Sequence, residues 1–196
     1  MVIDLTPATD QLATIVANIT DEQLTDITPC ADTTVADLLD HVHGLALAFT
    51  WAADKAAIEG GSPGPSADAD NLVDDWRTDI PARLADLASA WRKPESWEGM
   101  TEAGGLAMPG EVAGIVALDE VVIHGWDLAV SSGQEFQPDP SHVEAIAPFV
   151  ASFDDPAQAD ARKGLFGPVV PVPDDAPAFA RVLGQTGRDI GWSAPD

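Results

Sequence analysis

A chain of 196 residues and 20.5 kDa suits one domain. Hydrophobic residues make up 45%, enough for a packed core, while 9 Lys and Arg against 33 Asp and Glu leave a net charge of −24. A surface that negative repels phosphate backbones and anionic lipid, which argues against nucleic acid and membrane surfaces as partners.

The N-terminus, MVIDLTPATDQL, lacks a basic segment followed by an apolar run, so no signal peptide is expected. No apolar stretch approaches the length of a membrane span, and a cytoplasmic location is expected. The first helix is predicted from Ala8 to Ile19, with Thr6 as cap, Pro7 as first helical residue, and Leu12, Ile15, Val16 and Ile19 on one face. A loop carries the single cysteine, Cys30, which permits no intramolecular disulfide and no thiolate metal cluster. The second helix is predicted over Thr34–Ile58, with an apolar stripe of Val35, Leu38, Leu39, Val42, Leu45 and Phe49. The segment GGSPGPSADAD ends it as an exposed loop. A third helix is predicted over Asn71–Trp91, with a kink or break at Pro81. Residues 94–110 have no helical period and fit two short strands or an irregular loop. A fourth helix starts near Glu111 and stops before Gly133, a fifth runs from His142 to Phe153, and a short one near Ala176–Gly187 closes a Pro-rich tail. The pattern is all-α: a helical bundle over residues 1–163, with residues 164–196 as a C-terminal extension packed on it.

The fourth helix, GEVAGIVALDEVVIHGWDLAV, is apolar nearly all round, which places it centrally. At about 100° per residue its ionisable groups Glu120, His124 and Asp127 share one arc of roughly 60°, bordered by hydrophobic residues. A buried carboxylate is costly unless neutralised. A His one turn after a Glu offers a second donor to the same cation. The same pair also fits a hydrogen bond inside the core, or a patch facing solvent. A third ligand would come from the remaining histidines, His41, His43 and His142. His41 and His43 flank the stripe of the second helix, and periodicity does not choose between them. Two His plus one carboxylate with open positions is a recurrent catalytic metal site.

The strings PCADTTVADLLDHVHG and LDEVVIHGWDLAVSSGQ resemble the DinB-like helical-bundle metalloenzymes, in particular the actinobacterial group similar to mycothiol-dependent maleylpyruvate isomerase. The closing segment, LFGPVVPVPDDAPAFARVLGQTGRDIGW, is similar to the ending of actinobacterial members of that group, so the resemblance spans nearly the whole chain. It implies a DinB-like four-helix bundle and places His41, Glu120 and His124 on the metal-ligand positions. It also implies a divalent metal, Zn²⁺ first and Ni²⁺ or another divalent ion next, with mycothiol or a similar low-molecular-weight thiol as co-substrate. The implied reaction is thiol transfer to, or thiol-assisted isomerisation of, a small electrophilic substrate. Such a metal favours the thiolate and would activate it at neutral pH.

Around this set, Asp127 reads as an acid/base group or as a residue that positions His124. Arg188 reads as a cofactor- or substrate-binding cation, or as a salt bridge tying the tail to the acidic bundle. Cys30 is either a reactive thiol near a helix start or an inert one. His43 reads as a polar neighbour or substrate contact, and His142 as a surface residue. Trp126 and Trp192 read as core. The competing functional classes are a non-enzymatic bundle that binds a small ligand or a partner, and a hydrolase using metal-bound water. A homodimer is compatible with the sequence.

Overall fold

The computed structural model describes residues 2–194 apart from Ser62, Gly164 and Asp174. The expected boundary at Gly164 and the last two residues of the tail therefore lie outside the described residues. Seven α-helices and one β-hairpin are formed among the residues described.

Helix α1 (Thr6–Asn18) buries Leu12, Ile15 and Val16. Its cap differs from expectation. Thr6 is already helical, and the Asp4 carboxylate accepts the Thr6 backbone N–H at 3.0 Å and its hydroxyl at 2.6 Å. An aspartate accepts two such donors at once and suits the positive helix end.

Helix α2 (Val35–Asp54) opens with a reciprocal cap: Asp37 N–H donates to Thr34 Oγ1 at 3.2 Å, and Thr34 N–H donates to Asp37 Oδ2 at 2.8 Å. It stops short of Ile58 because Lys55 turns left-handed, at φ 51°. The Lys55 ammonium then donates to the carbonyls of Glu95 at 2.6 Å and Glu98 at 2.5 Å.

Helix α3 (Trp76–Trp91) begins five residues later than expected, after a short 3₁₀ turn at Ala69–Asn71. It runs through Pro81 without the break that was one of the two outcomes expected there. Ile80 and Leu84, both fully buried, hold this stretch of the helix in the core, and such packing offsets the local cost of proline.

Strands β1 (Met100–Ala103) and β2 (Leu106–Pro109) pair antiparallel across Gly104 and Gly105, both at positive φ, as a two-residue turn requires. Helix α4 (Gly110–Ser131) follows directly.

Helices α1 and α2 each pack against both α3 and α4, which makes the four-helix bundle. Helix α4 is the most enclosed: every residue from Val121 to Ala129 is buried. Its N-terminal half approaches Trp91 and Trp97, set edge to face, so closely that a side chain at Gly114 would clash with both rings. Helix α5 (Pro140–Ala151) lies on α4, α6 (Ala159–Lys163) is a short turn in the tail, and α7 (Ala178–Gln185) lies on α5.

His142, expected at the surface, is buried at the start of α5, and its Nε2–H donates to the Asp4 carbonyl at 2.8 Å. The N-terminal segment covers it, a long-range contact with no periodic signature. Among the described residues no helix is long and apolar enough to cross a membrane.

Candidate metal centre

His41 comes from the middle of α2, Glu120 and His124 from the middle of α4. These three side chains, 79 positions apart at the extremes, come together: one donor atom of each lies within 4.8 Å of the other two. His41 Nε2 lies 3.4 Å and His124 Nε2 3.0 Å from the same Glu120 oxygen, Oε2. The two rings sit edge to face, with centroids 5.0 Å apart. His43 takes a different direction from the opposite flank of α2. Its Nε2 is 2.6 Å from Asp79 Oδ2 on α3, and Arg83 Nε donates to the same oxygen at 2.7 Å.

The second nitrogen of each ring decides what the first can do. His124 Nδ1 faces Asp127 Oδ2 at 3.0 Å, and His41 Nδ1 faces the Ser66 carbonyl at 3.1 Å. Both partners accept, so both Nδ1 atoms carry the hydrogen in the neutral rings. Each Nε2 then turns a lone pair toward a carboxylate oxygen. Three acceptors face one another, which is unfavourable unless a positive charge stands between them. In the metal-free cluster a proton meets that need. Burial pulls the His124 pKa down, but its bonds to Asp127 and Glu120 outweigh burial and raise it to about 10. Burial likewise pushes Glu120 up, yet the His124 and His41 hydrogen bonds hold it well below the usual carboxylate range.

A divalent ion answers the same need. Donors held tetrahedrally at ~2.0–2.2 Å from one ion lie roughly 3.3–3.6 Å apart. The observed separations of 3.0 and 3.4 Å are close to that without rearrangement of the backbone. The donor set of two imidazoles and one carboxylate suits Zn²⁺ and its neighbours in the first transition row.

Asp127 stands behind His124. It is fully buried, and both its oxygens are engaged: Arg188 Nε donates to Oδ1 at 3.2 Å, and Arg188 Nη2 to Oδ2 at 2.8 Å. Burial would raise its pKa, but the Arg188 charge and the His124 hydrogen bond keep it low. This placement favours the positioning role over acid/base work. Arg188 itself is buried and spends a third donor on the Thr186 carbonyl at 3.0 Å, so the bridge from the tail to α4 is made. The guanidinium still lines the cleft in front of the triad. That cleft, about 410 Å³, is walled by Cys30, His41, Glu120, His124, Phe166 and Arg188. Cys30 is half-buried in the wall. A larger cleft of about 550 Å³ lies between Phe153 and Arg181, where no metal-ligating cluster occurs among the described residues.

Three residues of the site carry no periodic signal. Asp40 and Ser66 support His41, and Asp119 lies buried next to Glu120 with one oxygen unpartnered. Burial, then the Glu120 charge, push the Asp119 pKa up to about 8. The one available hint for Asp40 was its place beside His41 in LLDHV.

Residues 5–129 match the model of a family described as the mycothiol maleylpyruvate isomerase N-terminal domain. Two uncharacterized proteins of Mycobacterium tuberculosis, from strains CDC 1551 / Oshkosh and H37Rv, are each 33% identical to the chain over 196 residues. The alignment covers 92% of this chain and 95% of each relative. The crystal structure of the mycothiol-dependent maleylpyruvate isomerase superposes with a TM-score of 0.56 at 21% identity. The match covers 76% of this chain and 66% of that one, so the chain spans just under two thirds of that protein's length and shares its fold.

Proposed function

We propose that this chain, a member of the mycothiol maleylpyruvate isomerase N-terminal domain family, is a divalent-metal-dependent enzyme that uses a low-molecular-weight thiol of the mycothiol type to transfer sulfur to, or isomerise, a small electrophile. One observation carries the reading. Two imidazole lone pairs and one carboxylate oxygen converge in a cleft with both remaining N–H groups already committed. Family membership supports the thiol-dependent class of reaction.

His41, Glu120 and His124 would hold the ion, Zn²⁺ first. When bound, it supplies the positive charge that favours a thiolate over a thiol at neutral pH. The protein's own groups do the rest. Asp127 and the Ser66 carbonyl keep both rings in the tautomer that offers Nε2. Arg188 neutralises Asp127, so that a buried carboxylate can stand against His124 without gathering a proton. Arg188 and Lys163 bring two cations to the cleft wall of a strongly acidic protein, which suits a substrate bearing a carboxylate. Phe166 and Pro168 supply apolar wall to the cleft, a surface for the uncharged part of a substrate.

The test is metal content after purification without chelators, followed by conjugation of a thiol to a model electrophile with and without added metal. His124→Ala should lose both metal and turnover, whereas His43→Ala should keep both, because His43 bonds α3 rather than the triad. Wild-type protein that holds its metal and shows no metal-dependent rate with any thiol would sink the enzymatic thiol reading.

A further inference from the structure

The loop that carries Ser66 is laid down along α2 by three residues of that helix. Asp37 Oδ1 accepts the Ala69 N–H at 2.7 Å. One turn on, Asp40 Oδ2 accepts both the Ser66 hydroxyl at 2.5 Å and the Asp68 N–H at 3.2 Å. A further turn on, Gly44 leaves room for Pro65, whose Cβ would stand 3.1 Å from any added methyl. The result is that the Ser66 carbonyl comes to His41 Nδ1.

Asp40 is 5% exposed, a buried carboxylate with no cation paired to it among the described residues. Such a group is costly to keep, and Asn would satisfy the same two donors, since both bonds end on one oxygen. Its position has a consequence for its chain neighbour. With Ser66 anchored, His41 must donate from Nδ1, and its Nε2 lone pair faces Glu120. Even with the loop in place the His41 side chain is 21% exposed, and with the loop free it can take the opposite tautomer, which offers a hydrogen where the site needs a lone pair.

We propose that Asp40 is a positioning residue for the metal centre: acting through Ser66, it fixes the tautomer and orientation of His41. The inference rests on the metal reading for its functional meaning, but the tautomer itself is observable without metal.

The experiment uses the full chain and four variants: Asp40→Ala, Asp40→Asn, Ser66→Ala and Asp37→Ala. The ¹⁵N shifts of the His41 ring are recorded in metal-free protein with the ring neutral, and Zn²⁺ affinity is measured by competition with a chelating dye. Wild type should show the Nδ1–H form. Asp40→Ala should shift His41 toward Nε2–H and weaken Zn²⁺ binding ~10–100-fold, the usual effect of losing an outer-shell partner. Asp40→Asn should restore both, and Asp37→Ala, which frees only Ala69 and keeps both loop bonds to Asp40, should shift His41 less than Asp40→Ala does. Ser66→Ala, which keeps the carbonyl but loses its anchor, gives the same direction if Asp40→Ala does not fold. Unchanged His41 shifts in Asp40→Ala, or in Ser66→Ala where only that folds, overturn the proposal, as does an Asn variant that fails to restore them. If the shifts move as described but wild type binds no divalent ion, the positioning role stands and the metal reading falls. Tight Zn²⁺ binding with shifts and affinity unmoved in every variant has the opposite meaning.

Discussion

Replacing Arg188 by Met removes the one guanidinium that neutralises Asp127. Three hydrogen bonds go: two to the Asp127 carboxylate at 3.2 and 2.8 Å, and one to the Thr186 carbonyl at 3.0 Å. Breaking a buried ion pair from one side typically costs about 3–5 kcal/mol, because the remaining charge is left in low dielectric. His124 still donates to Asp127, so the low end, about 3 kcal/mol, is expected. For a chain of this length each kcal/mol lowers Tm by roughly 2–4 °C, so the fall should be about 6–12 °C. The pH dependence supplies a sharper check. Asp127 has a folded pKa below its ordinary value of 3.8, so its pairing contributes stability above that value, lost as pH falls through the folded pKa. The penalty of Arg188→Met should therefore be full at pH 7 and shrink below about pH 4. Urea unfolding followed by circular dichroism, run on both proteins from pH 3 to 8, measures it. A penalty under ~1 kcal/mol at neutral pH, or one that does not change with pH, would refute the account of the Arg188–Asp127 pair.

Asp119 should show the opposite sign. Its carboxyl is held protonated up to about pH 8, so the folded state loses stability between about pH 4 and pH 8 relative to a chain that ionises freely. In metal-free protein, Asp119→Asn should flatten that slope, with a gain at pH 8 over pH 4 of up to roughly 5 kcal/mol; parallel stability curves for the two proteins would count against it. At Gly114 an added Cβ would sit 2.6 Å from Trp97 Cζ3 and 2.9 Å from Trp91 Cζ3. Gly114→Ala should therefore lower stability by about 1–3 kcal/mol despite alanine's better helix propensity, and a higher Tm would contradict the packing described for α4.

Much of this was legible from residue order, and the reasons are local. The four long helices follow from apolar residues at three- and four-residue spacing. The patch of Glu120, His124 and Asp127 follows from helix geometry, because all three lie on one helix within two turns. What periodicity left undecided is what depends on a partner from elsewhere in the chain. His41 and His43 are equivalent as positions on a helix. They differ only because one faces α4 and the other meets Asp79 on α3. The Ser66 carbonyl is a backbone group in an aperiodic loop, and its place is set by Asp37 and Asp40 across more than 25 positions. His142 looked exposed because nothing in its own helix announces that the N-terminal segment will cover it. Helix limits moved for similar reasons: Lys55 ends α2 early by reaching across to two carbonyls near the hairpin.

The Arg188–Asp127 bridge also sets an order of events during synthesis. Both helices that bear the triad are complete once Ser131 has been made, but the guanidinium that neutralises Asp127 arrives near the end of the chain. A chain that has folded its bundle without the tail holds a buried Asp127 bonded by His124 alone, and the tail adds two guanidinium bonds to that carboxylate while the His124 bond stays. Charge balance around Asp127 is thus completed by one of the last segments to be made, and a chain stopped before Arg188 is expected to fold its bundle with Asp127 held by one donor instead of three.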